Sequence, residues 1–407
     1  MSPPPRAALT FIIATVTLDA IGIGLIFPVM PQLIEDVTGG TLADAALWGG
    51  ILAASYAVAQ FLFGPLIGAL SDRFGRRPVL LVSLAVMAAS YLTMALAPTI
   101  WLLLTARIVA GIAAATNATA AAFIADITPP KDRGRRFGLI GAGFGVGFVL
   151  GPVIGGLLAG IDTRAPFYAA GALATANLIF GAMVLPETVT TATRRAFALS
   201  RANPIGALLA ITRLRAARLP LITFLLLSVA MNVYPAIWAY YGTARFGWDT
   251  TMIGLSLALY GVSFAVGQAL LVGPLIRRFG EHRAAHLGLW VDATTLTGLG
   301  LVTSGPLALL LTPVTALGGV VTPALQAILS RQTPENAQGE LQGVLASLNA
   351  IAMIASPLIM TQTFAAFTRA GAAIFAPGAP FLLAALLIVA AIATHVAGSR
   401  ARPLPAA

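Results

Sequence analysis

Apolar residues run through this chain in long solid stretches, separated by short polar connections. Twelve such stretches are read, at about residues 7–31, 46–70, 78–97, 99–123, 135–160, 165–185, 217–241, 250–272, 283–303, 306–329, 341–368 and 375–397. Each is about 20 residues or longer, which is what a helix needs to cross a hydrocarbon core of roughly 30 Å. Lipid offers no partners to backbone groups, so only helices or closed barrels span it, and barrel strands would be shorter and alternating. The pattern predicts an all-α membrane protein with twelve transmembrane helices in two six-helix, pseudo-symmetric bundles. The first stretch is too long, and its leader too poor in basic residues, for a cleaved signal.

The longest polar interruption, residues 186–216, is rich in arginine and separates six stretches from six. The expected organisation is an N-terminal six-helix bundle at 1–185, a cytoplasmic linker loop at 186–216 and a C-terminal six-helix bundle at 217–407. The two halves are weakly alike. "GALSDRFGRRPVLL" from Gly68 reappears as "GPLIRRFGEHRAAH" from Gly273, an offset of 205 that also matches Gly49 to Gly254 and Pro152 to Pro357. Six plus six stretches in the same sense make a parallel repeat. Transporters built this way hold substrate near the membrane midplane and expose it to each side in turn.

Charge changes the picture in two ways. Only 9% of the 407 residues are charged, against roughly 25% for a soluble domain. The net charge of +10 looks like an invitation to nucleic acid, but its placement argues otherwise. Twenty of the 24 Lys and Arg fall in connections on the side of the N-terminus, three (Arg164, Arg245, Arg369) on the other, and Arg107 inside a stretch. That asymmetry is the positive-inside signal and puts both termini in the cytoplasm. With no cysteine, disulfide and thiolate chemistry are absent.

Three ionisable residues lie where lipid would otherwise surround them: Asp19 in the first stretch, Arg107 in the fourth and Asp292 in the ninth. An ionisable group at that depth costs on the order of 3 kcal/mol, so it faces an aqueous cavity or a partner. A structural ion pair or helix contact is the plainer reading for each. The functional reading starts from the carboxyl group. Protonated, it is neutral; ionised, it attracts a cation, so one Asp holds a proton or a cationic substrate but not both. In a cavity of alternating access, inward proton flow then drives outward cation flow. The amides Gln60, Asn117, Asn232, Gln268, Gln326 and Asn349 either line such a cavity or join helices. Trp238 and Tyr234, inside the seventh stretch, contact either substrate or neighbouring helices. His395, near the end of the last stretch, reads as snorkelling. Gly147, Gly151 and Gly155 recur every fourth residue, with Pro152 and Gly156 beside them. That spacing lets two helix backbones approach closely, and Pro152 bends its helix.

These motifs resemble a known family. "GALSDRFGRRP" (68–78) resembles the loop signature of the major facilitator superfamily, and the Gly147–Gly156 run its antiporter motif. "TLDAIGIGLIFPVMP" (17–31), "RIVAGI" (107–112), "FIADIT" (123–128), "RFGW" (245–248), "ALQAILSRQ" (324–332) and "GELQG" (339–343) are similar to the Gram-negative tetracycline/proton antiporters. The resemblance implies that Asp72, Arg73, Gly75 and Arg76 form a cytoplasmic gate. There the Asp, favoured by a helix N-terminus, meets a second-half helix, and the Arg pairs with an acid that falls on Asp126. In the second copy Arg277 replaces that Asp. It further implies that Asp19, Asp292 and Arg107 serve proton coupling and substrate, and that Gln268 is a polar position of the eighth span. Two positions depart from the family: Ser90 stands where it has an acid, and Phe264 where it has a histidine. Phe264 suits a flatter or more apolar substrate.

The reading is a proton-coupled efflux antiporter for tetracycline-like, divalent-metal-chelated drugs, not an enzyme. No nucleophile-and-base arrangement, P-loop or metal-ligand cluster stands out. Gln60, Asn117, Phe264, Gln268 and Trp238 are the expected cavity residues. No cofactor is expected; protons are the coupling ion, and Mg²⁺ travels with the substrate. The expected partners are a small-molecule drug, protons and the lipid bilayer of a bacterial inner membrane, with the chain acting as a monomer. The alternatives are an exporter of another small amphipathic drug or metabolite, and a non-transporting membrane receptor or sensor on the same scaffold.

Overall fold

The structure, a computed structural model, describes residues 6–114, 116–129, 132–189 and 217–400, and all of their side chains except those of 6–8 and 116–118. The expected linker beyond residue 189 lies outside the described residues. Among the described residues the chain is helical and has no strand.

The first eight helices are α1 (Arg6–Ile26), α2 (Met30–Thr38), α3 (Leu42–Phe74), α4 (Arg76–Leu96), α5 (Ile100–Ile112), α6 (Thr116–Ile127), α7 (Arg133–Ala159) and α8 (Ala165–Val184). After the linker come α9 (Arg218–Met231), α10 (Val233–Phe246), α11 (Thr250–Leu270) and α12 (Val272–Leu301). The last four are α13 (Gly305–Gly318), α14 (Val321–Arg331), α15 (Gln338–Thr368) and α16 (Ala379–Arg400). Among the described residues ten helical runs are long and apolar enough to cross a membrane, with Arg218–Phe246 and Gly305–Arg331 each taken across a break. The broken pair α5–α6 and the 30-residue α12 complete twelve spans.

Three spans expected to be continuous are interrupted. The fourth breaks between α5 and α6, the seventh at Asn232, and the tenth between α13 and α14. At Asn232 the cause is local: its side-chain Nδ2 donates to the carbonyl of Ser228 at 2.8 Å, competing with the helix for its own acceptor. The breaks in the fourth and tenth spans serve the sites described below.

The chain folds into two compact units. One comprises Met1–Gly40, Ser55–Asn203 and Asp249–Ala258; the other comprises Thr41–Ala54, Pro204–Trp248 and Leu259–Ala407. This differs from a cut at the linker alone, because α3 and α11 each contribute to both units.

In the first unit α1 lies along α7. A methyl group on Gly151 would sit 2.7 Å from the Ile21 carbonyl oxygen and 2.8 Å from Gly24 Cα. Gly147 meets Thr17 and Ala20 in the same way, and Gly155 meets Leu25. Gly156 lies against Thr250 and Thr251 of α11. The four-residue spacing on α7 thus matches a four-residue spacing on α1, backbone on backbone. Phe11, Ile12 and Val16 of α1 close the core against Leu80 and Leu84 of α4 and Phe123 of α6.

The second unit has an aromatic core in which Tyr241 and Phe381 lie 4.9 Å apart and Tyr234 and Phe381 5.7 Å apart. His395 does not snorkel. It is buried, and its Nε2 lies 3.1 Å from the carbonyl of His282. His282 and His286 of α12, beyond its Gly280 kink, lie against it.

The repeat seen in the sequence has a conformational counterpart. Gly75, between α3 and α4, has φ 117°, and Gly280, 205 residues later, divides α12 with φ 73°. Side chains rarely adopt positive φ, so the same turn recurs in both halves with glycine at its pivot.

Candidate functional site

Each unit holds a polar group of residues at the break in one of its spans. In the first unit Arg107 of α5 places its guanidinium 4.3 Å from the ring centroid of Tyr56 on α3. Among the described residues Arg107 forms no ion pair, so the ring face is what meets its charge. Tyr56 and Tyr91 lie within electrostatic reach of both Arg107 and Asp19 of α1. Gly22, one turn beyond Asp19, makes room for Tyr91, because a methyl there would fall 2.9 Å from the Tyr91 hydroxyl. That hydroxyl is buried without a hydrogen-bond partner. Ser90, at the departure in the third span, is buried and donates to the Ala106 carbonyl at 3.1 Å. Gln60 donates from Nε2 to the carbonyl of Ala114 at 3.3 Å, in the gap between α5 and α6.

The second unit repeats this plan with other chemistry. Asp292 of α12 is 3% exposed, and its Oδ2 has no hydrogen-bond partner. Gly318, the last residue of α13, lies against that carboxylate so closely that a methyl group would overlap it. Gln268 of α11 donates from Nε2 to the Gly319 carbonyl at 3.0 Å, in the gap between α13 and α14. A methyl on Gly319 would come within 3.2 Å of the Phe264 ring, and Phe264 stacks on Tyr260 with centroids 6.1 Å apart. Tyr234 and Tyr260 lie within electrostatic reach of Asp292.

Asp292, Gln268 and Phe264, chosen separately from the sequence, therefore meet at one break, as Gln60 and Arg107 do near the other. Gln268 lies 208 residues after Gln60, Phe264 the same distance after Tyr56, and Gly319 is 205 after Ala114. The two offsets differ by three residues, so the correspondence does not share one register. Trp238 joins neither group: it is buried among Tyr234, Tyr241, Trp248 and Phe381. Asn117 falls on α6, and its side chain lies outside the described residues.

A third cluster surrounds Arg76, the first residue of α4. Its Nη1 pairs with Asp72 Oδ1 at 2.6 Å and its Nε with Asp126 Oδ2 at 3.2 Å. Asp72 lies in the last turn of α3, so within its own unit this arginine, not a helix N-terminus, holds it. Arg73 points away and is exposed. Two residues outside the signature complete the cluster. Glu187 accepts the backbone N–H groups of Arg76 at 2.9 Å and Arg77 at 3.3 Å, and Thr188 donates to Asp126 Oδ2 at 3.1 Å. In the second unit Glu281 and Arg331 pair at 2.8 Å; they stand 205 residues after Arg76 and Asp126.

Helices α9, α14 and α15 also line a cavity of about 380 Å³. Gln60, Phe264, Gln268 and Trp238 are not among its lining residues. Among the described residues no group of three or more His, Cys, Asp or Glu is arranged to hold a metal ion.

Residues 12–357 of the chain, and in a second match 219–406, fit the Major Facilitator Superfamily. The chain is 45% identical over 359 residues to the class C tetracycline resistance protein of Escherichia coli, covering 88% of this chain and 90% of that one. It is 39% identical over 365 residues to the class G tetracycline resistance protein of Vibrio anguillarum, covering 89% and 91%. Among solved structures, a bacterial homolog of the human lysosomal transporter Spinster, inward-facing and occupied, aligns over 100% of both chains. Its TM-score is 0.80 and its identity 18%, which speaks to the fold alone.

Proposed function

The chain belongs to the major facilitator superfamily, and from that premise we propose that it is a proton-coupled antiporter exporting tetracycline-like drugs as divalent-metal chelates. The observation that carries the coupling is Asp292: a carboxylate 3% exposed, on a membrane-spanning helix, with one oxygen unpartnered. Such a group is stable when a proton or a cation occupies it. Occupancy by the proton leaves Asp292 neutral against the Gly318 backbone; release frees a negative charge for the cationic chelate. Asp19, with Arg107 and the Tyr56 and Tyr91 rings, is the matching polar group of the first unit. There the permanent cation of Arg107 disfavours a second cation and favours an anionic or neutral occupant.

Under this reading Mg²⁺ enters as part of the substrate, the chain works as a monomer, and the membrane is the inner membrane with both termini cytoplasmic. The Arg76 cluster then lies on the cytoplasmic side, where it acts as a gate. A second reading, export of another amphipathic compound by the same mechanism, is favoured by one observation. Phe264 presents an apolar ring, 40% exposed, beside the Gly319 break.

The test is tetracycline uptake into inverted membrane vesicles with Mg²⁺ and an imposed pH gradient. The intact protein should accumulate drug in a gradient-dependent way, and Asp19→Asn and Asp292→Asn should abolish accumulation with the protein still in the membrane. Uphill transport by both variants would sink the coupling scheme. Proton movement evoked by another compound but not by tetracycline would keep the scheme and change the substrate.

A further inference from the structure

We infer that the cavity between α9, α14 and α15 is a drug-binding subsite that reads hydroxyl, keto-enol and carboxamide groups through uncharged amides. The inference rests on the function proposed above and names the part of the drug this surface recognises. Its polar lining is Ser228 of α9 and Asn232 at the break that follows it, Thr322 and Gln326 of α14, and Gln342 and Asn349 of α15. The spacing on each helix is four or seven residues, so each pair shares one face. Three helices thus present polar stripes to a common space within one unit.

Two observations separate this arrangement from ordinary helix-joining amides. Amides that join helices hydrogen-bond across them, yet Gln326, Gln342 and Asn349 make no hydrogen bond within the described protein. All three are exposed to the cavity, although they lie on membrane-spanning runs. In lipid an unpartnered amide is strongly disfavoured, so water or a ligand must satisfy it. The second observation is size and composition. A volume of about 380 Å³ lies within the range of small-molecule sites, roughly 300–1,000 Å³. Phe224 and Met231 supply apolar wall, and no charged side chain lines the space.

The chemistry selects the ligand class. Side-chain amides donate and accept at once, which matches a rigid ring system whose edge alternates hydroxyl, carbonyl and carboxamide groups. Charge is handled elsewhere. Thr322 stands only three residues beyond Gly319, where the break faces Asp292 and Gln268. One short helix therefore carries recognition at one point and the titratable site just before it. A ligand held by Gln326 is positioned to report its presence to that break.

The near-isosteric variants Gln326→Met and Asn349→Leu remove the amides and keep the shape. Each should raise the KM for Mg²⁺–tetracycline uptake about 3- to 10-fold, the usual range for losing one neutral hydrogen bond, with maximal rate and membrane level unchanged. The Kd of purified protein for Mg²⁺–tetracycline, read by drug fluorescence, should rise by the same factor. A tetracycline analogue lacking an edge hydroxyl should lose affinity for the intact protein, and the variant facing that hydroxyl should show no further loss. If the intact protein transports tetracycline and both variants keep its KM and Kd, the subsite is overturned and the transport function stands. If the intact protein neither binds nor transports it, the function reading falls and takes this inference with it. Should either variant fail to reach the membrane, Gln326→Ala and Asn349→Ala carry the same comparison.

Discussion

Arg76 opens α4 and pairs with Asp126 in the last turn of α6; 205 residues on, Glu281 follows Gly280 in α12 and pairs with Arg331, the last residue of α14. Position is repeated while charge is exchanged. A helix favours a negative group at its N-terminus and a positive one at its C-terminus, each by about 0.3–1 kcal/mol near the surface. In the second unit both charges agree with their helices. In the first unit both oppose them, with Arg76 and Arg77 at the start of α4 and Asp126 at the end of α6. The first pair accordingly depends on groups from outside its two helices. Asp72 neutralises Arg76, Glu187 supplies the acceptors the N-terminus of α4 lacks, and Thr188 satisfies Asp126. The second pair closes by itself, with Glu281 14% exposed and Arg331 77% exposed. The comparison teaches that one ion pair in the repeat is a self-sufficient brace, while the other is held by a third element, the start of the linker. A pair held from outside can also be released from outside.

The largest expected effect comes from Arg76→Glu, which gathers four carboxylates around the start of α4. Gradient-driven export should fall about 100-fold, corresponding to roughly 2.7 kcal/mol in the working cycle, while Glu281→Arg stays far milder. Equal losses in the two units would dissolve the distinction between them. Next is Glu187→Gln, which keeps the shape but weakens charge-assisted bonds to two N–H groups. Such bonds contribute about 1.5–3 kcal/mol, so vesicle uptake should drop about tenfold, with Glu187→Asp restoring part of it; full activity in Glu187→Gln would remove the linker from the cluster.

Smaller is the exchange Glu281→Arg with Arg331→Glu, which preserves the pair but turns it against its helices. A loss of about 1–2 kcal/mol should appear as a lowered thermal midpoint, and an unchanged midpoint would show that the dipoles do not distinguish the pairs. The smallest effect belongs to Glu281→Gln. A pair with one so exposed partner contributes about 0–1 kcal/mol, so export should remain within about twofold of the intact protein.

The sequence made much of this architecture legible, and its blind spots have physical causes. Long apolar stretches, the linker and the Gly75–Gly280 register are all local patterns, and they survive in the structure as helices and matching turns. The breaks near Ala114 and Gly319 were invisible because Thr116, Asn117 and the Gly318–Gly319 pair sit inside otherwise apolar stretches, and hydropathy reports burial rather than helix continuity. Gln60 and Gln268 were visible as polar residues, but not as the donors that satisfy those breaks. Glu187 reaches a partner 111 residues away, for which no spacing rule exists. The Glu281–Arg331 pair was hidden by its own exchange of sign, since a repeat search looks for like residues. Gln326 and Asn349 could be singled out one at a time, but their convergence depends on how α9, α14 and α15 fold together.

The contact between α1 and α7 has a mechanical consequence. Where leucines interlock, a helix can slip only by lifting each side chain over its neighbour and resetting its rotamer. Along Gly147, Gly151 and Gly155 the opposing surface is bare main chain at Thr17, Ile21 and Leu25, so there is no rotamer to reset. The side-chain atoms standing in the seam are the Ala20 methyl, which faces Gly147, and the Pro152 ring, which faces Gly24, and neither has a rotamer to reset. The seam behaves as a bearing, stiff against separation and smooth along its length, and any side chain added to it acts as a brake.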